Sequence, residues 1–188
     1  GLVLCRFDIP AFLLTLATSE ILYGLVQTVT GNQLINVMNA KAFNYVGSAR
    51  ILGIPVPVYI LLVCFLFTYI VLNHTVYGRH LYCVGGNREA AKLSGINVRR
   101  IIVVAYIISG IMGSLSGLVL SSMNQQASAG QAKGYENDVL AAIVVGGVSL
   151  RGGAGTIQGA MFGALLIGIL TNGLQLLGIA SVYHDLIK

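Results

Sequence analysis

Between Val56 and Leu72 the chain carries no charged side chain, and aliphatic and aromatic residues fill almost all of it. A helix of roughly 20 such residues crosses the hydrocarbon core of a bilayer. Inside lipid the backbone has no water to bond, so only helices or closed barrels satisfy it. Comparable runs lie at about 11–30, 101–123 and 156–177, with a shorter one at 139–150. Composition agrees. Charged residues make up 9% and hydrophobic residues 56% of the chain, against roughly 25% charged in a soluble domain. Mean hydropathy is +0.83. Glycine is abundant but shows no G-X-Y period, which excludes collagen and suits close helix packing in membranes. The expected fold class is all-α: a polytopic membrane protein, a bundle of transmembrane helices with one short or broken segment.

The longest polar interval, Tyr77 to Arg100, lies between the second and third spans. It holds Arg79, Arg88, Lys92, Arg99 and Arg100, five of the chain's 11 Lys and Arg residues, against one acid, Glu89. Basic loops stay on the cytoplasmic side, so topology accounts for the net charge of +5 without a nucleic-acid partner. The centre of the interval reads as a short helix, with Asn87 as N-cap, Glu89 in the first turn, Lys92 near the end and Gly95 as the stop. So short a helix is marginal alone and needs something to dock on. The pattern predicts a surface helix that passes force between the membrane spans and a cytoplasmic partner. Positive-inside reasoning then puts Gly1–Pro10 inside, with Gly31–Pro55 and Asn124–Asp138 outside. The tail lies outside if the short segment crosses and inside if it re-enters.

The spans are not uniformly apolar. The first carries Thr15, Thr18, Ser19, Glu20 and Gln27. An acid at membrane depth usually faces a bundle interior or a water-filled cavity, although Glu20 could also sit shallow or pair with a base. A short helix is expected around Asn36 to Phe43, and Pro55 and Pro57 open the second span. In the third span Ala105, Ser109, Gly113, Gly117 and Ser121 recur every four residues, a ridge of small side chains that admits another helix backbone. Gly155, Gly159 and Gly163 form a second ridge at the start of the last span. The short run after Asp138 ends in Gly146-Gly147, and such a segment is tolerated only within protein or beside a cavity.

Other chemistries find little here. Cys5, Cys64 and Cys83 lack ligand spacing, so neither a disulfide nor a metal is expected. The sequence has no G-x-x-x-x-G-K-[ST] phosphate loop. Gly153-Ala154-Gly155 begins like a dinucleotide fingerprint, but Gln158 stands where its third glycine belongs. An intramembrane hydrolase built on Ser149 or Ser109 needs a nearby base, and His74, His80 and His184 all fall at span ends or in loops. A passive channel for a small polar solute remains the alternative, because ridged helices and a broken segment also suit a pore.

The interval Tyr77-Gly78-Arg79-His80-Leu81-Tyr82, Gly85-Gly86-Asn87 and Glu89-Ala90-Ala91-Lys92-Leu93-Ser94-Gly95-Ile96 resembles the cytoplasmic coupling loop of permease subunits in ribose-type sugar ATP-binding-cassette importers. The likeness runs on through Ile9-Pro10-Ala11-Phe12 with Thr15-Leu16-Ala17-Thr18, and Gly53-Ile54-Pro55-Val56-Pro57-Val58. It continues in Gly134-Tyr135-Glu136, Ala141-Ala142-Ile143-Val144-Val145-Gly146-Gly147, Gly152-Gly153-Ala154-Gly155-Thr156 and Asn172-Gly173-Leu174. Asn137 departs from the apolar residue more usual there, and Arg151 falls at a variable place. The resemblance implies that residues 1–188 are part of one permease domain of a bacterial cytoplasmic (inner) membrane protein, lacking the family's N-terminal spans and its last span. It implies two cytoplasmic ATPase subunits, which would hold the ATP and Mg, while this chain binds no cofactor. It also implies an extracytoplasmic sugar-binding protein and a second permease copy or paralogue.

On that reading Gly85, Gly86, Asn87, Arg88, Glu89, Ala90, Ala91, Lys92, Leu93 and Gly95 couple to the ATPase. Ala90, Ala91 and Leu93 would be available to a partner's apolar groove, so Ala91→Trp is expected to abolish coupled uptake. Ser109, Gly113, Gly117, Gly155, Gly159 and Gly163 serve helix packing. A sugar needs hydrogen-bond partners and aromatic faces, which makes Glu20, Asn124, Gln125, Tyr135, Glu136, Asn172 and Gln175 the candidates for its path.

Overall fold

The computed structural model describes residues 11–37 and 41–178. The expectations for Gly1–Pro10, for the tail beyond residue 178, and for Cys5 and His184 lie outside the described residues. The chain is all-α, with two short strand pairs. In order it forms α1 (Ala11–Thr30), β1 (Ile35–Asn36), α2 (Lys41–Ser48), β2 (Arg50–Ile51), β3 (Ile54–Pro55) and α3 (Val56–His74). Then come α4 (Val76–Gly86), α5 (Arg88–Leu93), α6 (Val98–Asn124), β4 (Gln126–Ala127), α7 (Tyr135–Val145) and α8 (Ile157–Leu176). Among the described residues, α3, α6 and α8 are long and apolar enough to cross a membrane.

Helix α1 is as long as α8 at 20 residues but carries more polar side chains. Several of them bond within the helix: the Thr18 hydroxyl donates to the Leu14 carbonyl at 2.7 Å, Ser19 to Leu16 at 2.8 Å and Thr30 to Val26 at 2.8 Å. Thr28 does the same to Gly24. Such back-bonding meets hydroxyl demand without water.

Two compact units emerge, Gly1–Leu66 with Arg99–Ala132 and Phe67–Val98 with Lys133–Lys188. In the first, β1 and β4 pair antiparallel, Ile35 opposite Ala127 and Asn36 opposite Gln126. The short helix expected around Asn36 is displaced: Asn36 is a strand residue and α2 begins at Lys41. Ser122, fully buried, donates its hydroxyl to the Phe43 carbonyl at 2.6 Å. A Cβ on Gly47 would fall on the Ser122–Met123 backbone, so α2 lies directly against the end of α6. Strands β2 and β3 form a hairpin whose turn residues, Leu52 and Gly53, both have positive φ (52° and 83°), as a two-residue hairpin turn requires. The Tyr59 hydroxyl donates to the Ile51 carbonyl at 3.0 Å and ties this hairpin to the start of α3.

In the second unit the chain breaks at Thr75. Its hydroxyl donates to the Val71 carbonyl at 2.6 Å and accepts the Gly78 amide at 3.2 Å, capping α4. Residues 77–86, expected as part of the polar loop, form the regular helix α4. Tyr77, Leu81 and Val84 share one face at helical spacing, with Val84 buried. Burial also raises the Tyr77 phenol above its ordinary pKa.

Helices α7 and α8 pack as an antiparallel hairpin. A Cβ on Gly163 would land on the Ala142 carbonyl, and Gly146 and Gly159 meet backbone to backbone. Ala142 and Ile167 are buried along the seam. Helix α7 differs from the short span expected at 139–150. It starts four residues earlier, at Tyr135, and stops at Val145. The polar Tyr135–Asp138 stretch is its first turn, where Glu136 and Asp138 complement the positive helix end. At 11 residues it is only about 16 Å long.

Candidate functional site

Helix α5 is short but closed at both ends. The Asn87 side chain accepts the Ala90 amide at 3.0 Å. At the other end the Gly95 amide bonds the Lys92 carbonyl and the Ile96 amide bonds the Ala91 carbonyl, both at 3.0 Å. Gly95 has a φ of +80°, so this is a Schellman stop. Arg88, Glu89, Ala90, Lys92 and Leu93 face outward, and Leu93 is 90% exposed. Ala91 is not available to a partner as expected. Its side chain is only 3% exposed, because it sits on the inward face of the helix. The outward apolar surface is therefore Ala90 and Leu93, and Ala91→Trp would disturb this chain before it disturbed any partner.

Immediately before α5, Gly85 and Gly86 lie against the backbone of Gly152 and Gly153. A Cβ on Gly85 would come within 2.6 Å of the Gly153 nitrogen, and one on Gly153 within 2.5 Å of the Gly86 Cα. The Tyr82 hydroxyl donates to the Gly155 carbonyl at 3.0 Å across the same contact. The loop is folded on itself by a bond from the Ser149 amide to the Ala154 carbonyl at 2.9 Å. Gly152, Gly153 and Gly155 all have positive φ, which only glycine adopts freely. The end of α4 and the α7–α8 turn thus meet main chain to main chain at the glycines, with the Tyr82 hydroxyl as a side-chain tie beside them. Sequence reading singled out both glycine groups but did not join them, since nothing in either spacing reports a contact between segments so far apart.

The packing candidates separate by environment. Gly155 sits against Val148, and Gly159 and Gly163 are in the α7–α8 seam. Ser109, Gly113 and Gly117 are exposed on α6, and added Cβ atoms at the two glycines would meet nothing within 4 Å among the described residues.

The path candidates also divide. Tyr135, Asn172 and Gln175 come together in a cleft of about 350 Å³ between α7 and α8, joined by Asp138 and Thr171, which sequence reading missed. Asp138 follows Tyr135 by three residues, so once α7 begins at Tyr135 the two share a face. Glu136 turns away and accepts the Gly134 amide at 3.1 Å. In the other unit, Asn124 lines a separate cleft of about 520 Å³ with Gln126, Ser128 and Gln131. Gln125 is held at a φ of +53°, its carbonyl accepting the Val37 amide. Glu20 is exposed on α1. Among the described residues, no three His, Cys, Asp or Glu side chains gather as a metal site.

The ribose import permease protein RbsC of Escherichia coli (strain K12) is 39% identical over 191 residues, a match that takes in all of this chain and 60% of that protein. Its counterpart from Bacillus subtilis (strain 168) is 39% identical over 189 residues, covering 59% of its length. The L-arabinose transport system permease protein AraH of Escherichia coli (strain K12) is 33% identical over 188 residues, covering 57%. The chain thus spans about three fifths of the length of the curated relatives it matches. No solved structure matches it. With its long apolar helices the chain is a multi-pass membrane protein. The family described as branched-chain amino acid transport system / permease component matches residues 1–188, and the chain belongs to that family.

Proposed function

We propose that this chain is the core of a transmembrane permease subunit in an ATP-driven importer that moves a monosaccharide across a bacterial cytoplasmic membrane. The single observation that carries the reading is α5, a helix capped at both ends that presents Ala90 and Leu93 outward and leads back through Gly85 into the α7–α8 turn. A passive pore has no use for an exposed leucine on a rigid basic helix next to its spans. A cytoplasmic ATPase that moves α5 has a main-chain contact through which to act on the helical hairpin beyond it.

ATP and Mg²⁺ belong to that ATPase, and this chain is the translocation subunit rather than an enzyme. A sugar-binding protein delivers substrate from the other side, and a second permease copy or paralogue completes the path. Relatives named for ribose and arabinose favour a sugar over the amino acids in the family description.

The test uses the full-length permease, its ATPase and its binding protein in proteoliposomes, with radiolabelled ribose and arabinose as probes. Uptake should require ATP, and Leu93→Glu should abolish it while the variant still inserts in the membrane. Uptake that persists after ATP depletion would return the passive channel.

A further inference from the structure

Asn87 leaves no slack between α4 and α5. Its amide donates to the Cys83 carbonyl at 3.0 Å and ends α4, while its side chain accepts the Ala90 amide at 3.0 Å and begins α5. One residue caps both helices, so a displacement of α5 reaches α4 without a linker to absorb it. Coupling between distant sites travels through such rigid elements and the bonds that join them. Helix α4 then has two places at which to pass the displacement on. At its start Gly78 lies on the Leu72 carbonyl, where a Cβ would not fit, so α4 presses on the end of α3. At its far end it meets the α7–α8 turn.

That second contact is close but weakly held. The glycines let the backbones approach and contribute no side chains to the grip. The apolar side chains alongside do not close: Leu72, Leu81, Ile143, Val148, Ile157 and Ala160 line a cleft of about 350 Å³, and dispersion contacts are forfeited across a gap. Tyr82, half-buried in the wall of that cleft, donates its hydroxyl to the Gly155 carbonyl at 3.0 Å. Gly155 immediately precedes Thr156, the N-cap of α8, whose hydroxyl accepts the Gly159 amide at 3.1 Å. The bond therefore grips α8 at its start, from a point little more than one helical turn before Asn87. Backbones in contact transmit a push, but only a bond transmits a pull. The geometry points to Tyr82 as a positioning residue: its hydroxyl makes the start of α8 follow α5 when the ATPase draws the two segments apart, as well as when it drives them together. The inference rests on the permease reading above and adds to it the receiving element, α8, and the group that holds it.

The experiment uses the full-length permease purified with its ATPase, placed with the binding protein in proteoliposomes, and radiolabelled ribose and arabinose as probes. Tyr82→Phe removes the hydroxyl and keeps the ring. At equal abundance of assembled complex it should lower solute moved per ATP hydrolysed about fivefold, the factor one neutral hydrogen bond supplies. The matched control is Tyr59→Phe, which removes another hydroxyl–carbonyl bond of 3.0 Å away from this contact and should leave the ratio unchanged. Amide hydrogen exchange gives a second reading. In the parent, ATP with vanadate should alter exchange at Ala90 and Ala91 and also at Gly159 and Ala160, whose amides bond Thr156 in the first turn of α8. In Tyr82→Phe the response should persist at the first pair and shrink at the second. An unchanged ratio in Tyr82→Phe overturns the assignment while leaving the permease reading in place, and is the result expected of a tyrosine that only anchors α4 at the membrane surface. An equal fall in Tyr59→Phe overturns it as well, because the loss would then follow from general weakening of the chain. A parent complex that moves neither pentose with ATP would sink the permease reading itself, and the tie with it.

Discussion

Several residues act here through what they lack. Gly163 has the Ala142 carbonyl where a Cβ would go, so Gly163→Val forces α7 and α8 apart. Overpacking of this kind costs typically about 1–3 kcal/mol. Gly163→Val should therefore unfold at clearly lower denaturant than the parent in detergent, followed by circular dichroism. On α6, Gly113 and Gly117 face open space. Replacing both with Ala should leave the stability of one chain nearly unchanged, or raise it slightly, since alanine is the better helix former. If this face seats a second permease, the same pair should weaken association, read by cross-linking in membranes. Ser122, by contrast, is a residue whose importance the sequence concealed. A serine in a glycine-rich helix reads as one more small side chain, and only the approach of α2 turns it into a buried hydrogen-bond donor.

At the scale of elements, α5 shows how much local chemistry can specify. Asn87, Glu89, Lys92 and Gly95 marked a six-residue helix with both its ends, and the observed caps use Asn87 and Gly95 as read. Asn87→Ala should cost α5 about 1 kcal/mol, visible as faster amide hydrogen exchange at Ala90 and Ala91 with little change in the long spans. The caps could not reveal which face turns inward. Rotation about the helix axis is set by what lies beneath, so the burial of Ala91 came as a correction. Helix α7 misled for a related reason. Its first turn, Tyr135 to Asp138, is polar and has no side-chain cap at Gly134, so the stretch looked like loop. The acids at Glu136 and Asp138 were the available signal, since they suit a helix start.

For the whole molecule, sidedness is the main expectation. Cys83 is exposed on α4, next to the glycines that lead into α5. In sealed cells a membrane-impermeant maleimide should leave Cys83 unmodified until the cytoplasmic face is opened; labelling from outside would invert the topology. Membrane residence, the long apolar helices, the basic segment between two of them and the family likeness were all legible in linear order. Each follows from hydropathy over a span length, from charge or from short-range word order, and none depends on how the chain folds back. What brings Tyr135, Asp138, Asn172 and Gln175 into one cleft, or lays Gly85 on Gly153, is contact between segments far apart in the chain. Spacing carries no record of such contacts, because they depend on how closely two backbones approach, and glycine permits that approach without specifying its partner.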